Sequence, residues 1–166
     1  MSSQSGTIVP KGKTRLCISG FSYSHNTGLA RQIADKIADL KANEYETWFV
    51  FGVPGLSHDH YGFVDALKPK LATEEQRKKY MAREGWSAPF VWMETLGADD
   101  AVVYTAIGGC DDFRAWSKAK NFGSAEIDAL CDRDPSLWGD LVVSQAPGTA
   151  EIKVDAKGRE AFCGFF

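Results

Sequence analysis

The stretch that most constrains this 166-residue chain runs from Ser87 to Trp116. Ser87-Ala-Pro-Phe-Val-Trp92 and Ala101-Val-Val-Tyr-Thr-Ala-Ile107 are short runs rich in β-branched and aromatic residues, separated by the polar cluster Gly97-Ala-Asp-Asp100. That pattern predicts a hairpin of two antiparallel strands, the first begun through Pro89. Gly108-Gly109 then breaks the second strand. Asp111 or Asp112 is suited to cap a helix that carries Phe113, Ala115 and Trp116.

Upstream, residues 1–13 are small, polar and Gly/Pro-containing, which predicts a tail. Arg15-Leu-Cys-Ile18 reads as a buried strand closing at Ser19-Gly20. A helix is predicted over Leu29 to Leu40, with Leu29, Ile33, Ile37 and Leu40 on one face and Arg31, Asp35, Lys36 and Asp39 turned away. Glu44 to Phe51 is aromatic and β-branched and reads as a second strand. Strand, helix and strand in this order predict a βαβ unit with parallel strands. Gly52 to Gly62 reads as a loop, Phe63 to Leu71 as a short helix interrupted at Pro69, and Thr73 to Arg83 as a charged helix behind a Thr73-Glu-Glu-Gln76 capping box. Ser124 to Cys131 reads as a further capped helix, and 137–144 and 151–166 as strand and hairpin material.

A strand begun through proline, followed by a hairpin that leaves through Gly108-Gly-Cys-Asp-Asp112, resembles the second half of a glutaredoxin. The resemblance implies an α/β, thioredoxin-like (glutaredoxin-type) mixed sheet flanked by helices, with an insertion (52–87) before a cis Pro89. The family-like domain would span 14–123, after a tail over 1–13 and before a C-terminal extension over 124–166. It also implies a glutathione-like ligand site. Ala88 and Pro89 would present backbone to the cysteinyl part, the Gly109-Cys110-Asp111 turn would hold the γ-glutamyl carboxylate by backbone N–H groups, and Ser24 would lie at the helix start. Aligning the helix by its buried positions places the family's Cys-Pro-Tyr-Cys on Ser24-His25-Asn26-Thr27. Both thiol positions then hold hydroxyls, which cannot attack a disulfide. The family's carboxylate-pairing lysine falls on Phe21. A competing register, Ser19-Gly-Phe-Ser22, differs by one residue from the monothiol Cys-Gly-Phe-Ser motif and also lacks the cysteine.

Each of these residues also has an ordinary role. Ser24 is a favoured helix cap whatever the function, and Cys110 suits a small buried position. His58-Asp-His60 is the one close histidine pair, without the further ligands that zinc needs, so no metal is expected. Four scattered cysteines (Cys17, Cys110, Cys131, Cys163) without C-x-x-C spacing point to a reducing compartment. A net charge of -3 offers nothing to nucleic acid or to an anionic membrane. With no signal-peptide-like start, the expected location is cytoplasmic, in a cytoskeletal or other cytosol-exposed assembly.

The functional expectation is a redox-inactive glutaredoxin-like domain acting as a structural or adaptor subunit of a larger protein assembly, with no required cofactor. Tyr61, Phe63, Tyr80 and the closing Phe165 and Phe166 are its expected interface aromatics. The alternative is a glutathione-binding or glutathione-dependent redox or transferase protein that uses Ser24 and the Pro89/Gly109–Asp111 site.

Overall fold

The structure, a computed structural model, describes residues 9–52, 59–83, 86 and 88–135. The chain runs β1 (Thr14–Phe21), α1 (His25–Leu40), β2 (Tyr45–Gly52), α2 (His60–Leu67), a 3-10 turn (Lys68–Lys70), α3 (Glu74–Met81), β3 (Phe90–Leu96), β4 (Val102–Gly108), α4 (Cys110–Lys120) and α5 (Ala125–Asp132). Four strands form one mixed sheet in the order β2-β1-β3-β4. β1 is parallel to β2, from Thr14↔Tyr45 to Phe21↔Gly52, and antiparallel to β3, from Arg15↔Glu94 to Ser19↔Phe90. β3 and β4 are the predicted hairpin, with a register shift at Val91/Trp92. The fold is therefore α/β, a four-stranded mixed sheet flanked by five helices. Among the described residues no helix is long and apolar enough to cross a membrane.

The alternation of β1 assigns its side chains to two different cores. Leu16 and Ile18 join Phe49, Phe51 and Val91 against Leu29, Ile33 and Ile37 of α1, Phe113 of α4 and Ile127 of α5. On the opposite face Cys17 joins Trp48, Val50, Phe90, Trp92 and Ala106 against Val64, Leu67, Leu71 and Tyr80. Burying each such large side chain is worth about 1.5–3 kcal/mol, so a strand used on both faces anchors two layers at once. The second core ends in a polar cluster. Buried Arg15 reaches Glu46 (3.0 Å) and lies 3.9 Å from Glu94, whose other oxygen accepts from Trp92 Nε1 (3.0 Å). Burial holds the Glu94 carboxyl above its ordinary range, against the pull of that indole hydrogen bond and of Arg15.

Several boundaries differ from those read in the sequence. β1 continues through Ser19 and Gly20 to Phe21, because Ser22 N–H still reaches Gly52 O and keeps the pairing alive. α1 begins at His25, four residues early, since Ser24 supplies the cap, and Leu40 at its far end is 49% exposed. Gly62 lies inside α2, which Asp59 starts by accepting from Gly62 N–H, and Pro69 tightens the helix end into the 3-10 turn. α4 starts at Cys110 behind Gly109, so neither Asp111 nor Asp112 is the N-cap residue. In the expected tail, Val9 is buried. The strand and hairpin expected over 137–144 and 151–166 lie outside the described residues.

Segment 59–83 packs across one face of the sheet and closes its β4 edge. Leu71 bridges to Tyr104, and Ala72 N–H donates to Tyr104 O. The Gln76 amide imitates a neighbouring strand, accepting from Ala106 N–H (3.0 Å) and donating to Ala106 O (3.1 Å). Tyr80 O–H donates to Ile107 O (3.2 Å). Thr73 does cap Gln76 N–H, but the reciprocal half of the expected capping box is missing because the Gln76 side chain is spent on β4. Tyr80 is 2% exposed and Phe63 packs on Trp92, so of the expected interface aromatics in this segment only Tyr61, 49% exposed, faces solvent. Replacing Gln76 by Ala strips both partners from Ala106 and is expected to lower stability by about 1–3 kcal/mol, read as a lower urea midpoint at unchanged m.

Candidate functional site

The C-terminal end of β1 delivers the chain to the start of α1, and the other expected site elements assemble around that junction. Ser24 is extended (φ -79°, ψ 123°), and its Oγ accepts from Thr27 N–H at 3.3 Å. Thr27 is fully buried against Gly20, where an added Cβ would stand 2.5 Å from Thr27 Oγ1. Gly20 is therefore required by close approach. His25 Nδ1 donates to Pro135 O (2.9 Å), tying the turn after α5 to the first turn of α1. The helix starts at His25 behind Ser24, and Ser19, Gly20 and Phe21 are strand residues rather than a helix start.

Pro89 follows a cis Ala88–Pro89 bond, as the resemblance implied, and falls one register step beyond the Ser19↔Phe90 pair, level with Gly20. Its carbonyl oxygen lies 3.9 Å from where a Gly109 Cβ would be, and Trp86 Nε1 lies 3.7 Å from that point. The proline strand, the Gly-Gly turn and the approach to α1 therefore lie at one end of the sheet. Gly108 has φ +122°, and a side chain there would collide with Asp112.

The turn differs from the anion cradle expected of it. Gly109 N–H donates to Asp112 Oδ2 (3.0 Å), so this chain's own carboxylate takes that donor. Asp111 points to solvent and pairs with Arg114 (3.1 Å). Cys110 is buried, and desolvation pushes its thiol up to about 12 although Arg114 pulls the other way. Where the family's lysine would stand, Phe21 stacks on Tyr23 (5.7 Å) and meets Tyr61 edge-on (5.7 Å). Tyr23 is 56% exposed, so the surface beside Ser24 is aromatic rather than cationic. Ser87, His58, Cys163 and the expected interface pair Phe165 and Phe166 lie outside the described residues.

One polar chain was not anticipated. Ser19 Oγ and His60 Nδ1 are 2.8 Å apart, both residues fully buried, and His60 Nε2 is 2.9 Å from Trp86 O. A carbonyl only accepts, so Nε2 carries a proton, and in the neutral ring Nδ1 then accepts from the Ser19 hydroxyl. This chain pins β1, the start of α2 and the loop before Pro89 together. Both ring nitrogens of the histidine singled out as half of a metal pair are thereby engaged within the protein. A serine on the inward face of a buried strand, which needs a partner, was the available signal.

The described thiols are poorly placed for exchange chemistry. Burial raises Cys17 well above its ordinary value, with Glu94 adding to the shift, and burial likewise raises Cys131. Compared with protein-family models, with curated proteins and with solved structures, the chain matches none. In a Cys163→Ser background, Cys17, Cys110 and Cys131 are expected to react with an aromatic disulfide reagent no faster than the protein unfolds. The rate should not climb through the ordinary thiol range near about pH 8.5.

Proposed function

We propose that this chain is a glutaredoxin-like domain of thioredoxin type that lacks thiol–disulfide exchange and serves as a structural or adaptor subunit of a protein assembly. The observation that carries the reading is the content of the α1 start. Ser24 is spent on capping and Thr27 on packing against Gly20, at the two positions where the resemblance calls for thiols. A hydroxyl at neutral pH supplies no thiolate and forms no mixed disulfide. The sheet order β2-β1-β3-β4, with α1 between the parallel strands and a proline-led β3, is compatible with the fold that the reading requires.

A non-catalytic glutathione-binding domain is the second reading, favoured by the adjacency of Pro89 and Gly109 and by the first-turn N–H groups of Cys110 and Asp111, which have no carbonyl partner within α4. Against it stand the Asp112 carboxylate already on Gly109 N–H and the uncharged Phe21. A transferase role, with Ser24 activating a bound glutathione thiol, rests on the same residues.

In a coupled reductase assay with a glutathione mixed disulfide, the protein is expected to show no turnover. Ser24→Cys should form a mixed disulfide visible as an added glutathione mass, with weak turnover because Phe21 anchors no carboxylate. Turnover by the unaltered protein would overturn the reading. Calorimetric titration with glutathione separates the two non-catalytic readings. The adaptor reading expects no saturable heat, whereas saturable heat abolished by Cys110→Pro, which deletes one N–H at a position that tolerates proline, would establish the binding one.

A further inference from the structure

His60 is fully buried, yet it is the first residue of α2 and stands between exposed Asp59 and Tyr61. Its ring packs on Phe21 and Tyr61 (5.2 and 5.4 Å) and bridges Ser19 Oγ (2.8 Å) to Trp86 O (2.9 Å). The neutral ring satisfies both contacts. A charged ring bears protons on both nitrogens, so it keeps the Trp86 bond but deprives the Ser19 hydroxyl proton of its acceptor at a site shut off from water.

A positive ring would also lie at the positive end of the α2 dipole. The charged groups on the described elements packed around it do little to offset this. On α2, Asp59 is engaged by Gly62 N–H and Asp65 by Lys68 (2.7 Å). Towards Trp86 the groups are cationic: the Arg83 guanidinium lies over the Trp86 ring, Lys68 Nζ donates to Arg83 O, and Lys79 of α3 lies over the Tyr80 ring that packs on Trp86. Ser19 to Phe21 of β1, with Val50 and Phe90 paired to Ser19, carry no charge. The route out for the ring is short, because fraying the first turn of α2 alone brings it to water.

We propose that His60 is an acid-operated latch: the neutral ring holds Trp86 and the approach to Pro89 against β1, and a ring that takes up a proton leaves its site with the first turn of α2 and releases them. A solvated histidine takes up its proton near about pH 6.5. The closed site does not accept that proton, so the latch is fully engaged above this value and weakens as pH falls through it. Its opening equilibrium then rises about tenfold per pH unit. This latch does not depend on the redox reading of the α1 site.

The test is amide hydrogen exchange of the full chain, read as protection factors at low urea concentrations. The reporter is Phe63, whose N–H donates to Asp59 O across the first turn of α2. Its protection factor is expected to fall about tenfold between about pH 6 and pH 5, through an opening that urea does not promote, whereas the protection of Ile33 in α1 falls with urea as the whole protein unfolds. His60→Gln keeps a donor and an acceptor without a titratable ring, and should make Phe63 protection independent of pH over this range. Ser19→Ala, which keeps the ring and removes its hydroxyl partner, should lower Phe63 protection about fivefold at neutral pH. Four results would each overturn the proposal: Phe63 protection that does not fall with pH; exchange at Phe63 as dependent on urea as that at Ile33; a fall that persists in folded His60→Gln; and unchanged Phe63 protection in folded Ser19→Ala.

Discussion

The structure depends on burying β1 on both faces while it is paired on both sides. Leu16 and Ile18 are closed over by α1, α4 and α5, and Cys17 and Ser19 by the segment that carries α2 and α3. A strand with water on neither face must satisfy every polar group internally. The ladders to β2 and β3 do this for the backbone. Ser19 Oγ needed a partner of its own and has one in His60, which extends the same constraint to Trp86 and the approach to Pro89.

The position of the candidate site follows from that strand. β1 ends where α1 begins, and Pro89 comes level with Gly20 through the antiparallel register to β3. Space there is set by close contacts: Thr27 fills the gap at Gly20, and Asp112 fills the hollow over Gly108 and Gly109. The polar atoms at this end of the sheet are used largely to hold the protein together. Ser24 caps, Asp112 takes the turn N–H, and Cys110 is sunk in apolar surroundings that suppress its thiolate. Beside these engaged groups, the aromatic rings of Tyr23 and Tyr61 are exposed.

The segment between β2 and β3 has a plainer role than its sequence suggested. Tyr80 and Phe63 look superfluous to a minimal sheet, yet they fill the second core, and Gln76 spends both ends of its amide on one residue of β4. The β4 edge is thus covered by the chain that leads into its own hairpin.

The sequence by itself determined the local elements. The alternation at 90–96 and 102–108, the turn between them, the 3.6-residue periodicity of Leu29, Ile33 and Ile37, and the caps at Ser24, Thr73 and Ser124 are all consequences of residue type and spacing, and they were legible. So was the absence of a thiol at the α1 start, because no cysteine stands between Cys17 and Cys110 in the sequence. Contacts between residues distant in the chain were decided by the tertiary structure. These include Ser19 with His60, Gln76 with Ala106, Thr27 with Gly20 and Asp112 with its own turn, together with the burial of Tyr80 and the exposure of Leu40. The physical reason is that propensity and periodicity report which face of an element is apolar, whereas the partner of a buried polar atom depends on which elements the closed sheet brings within hydrogen-bonding distance.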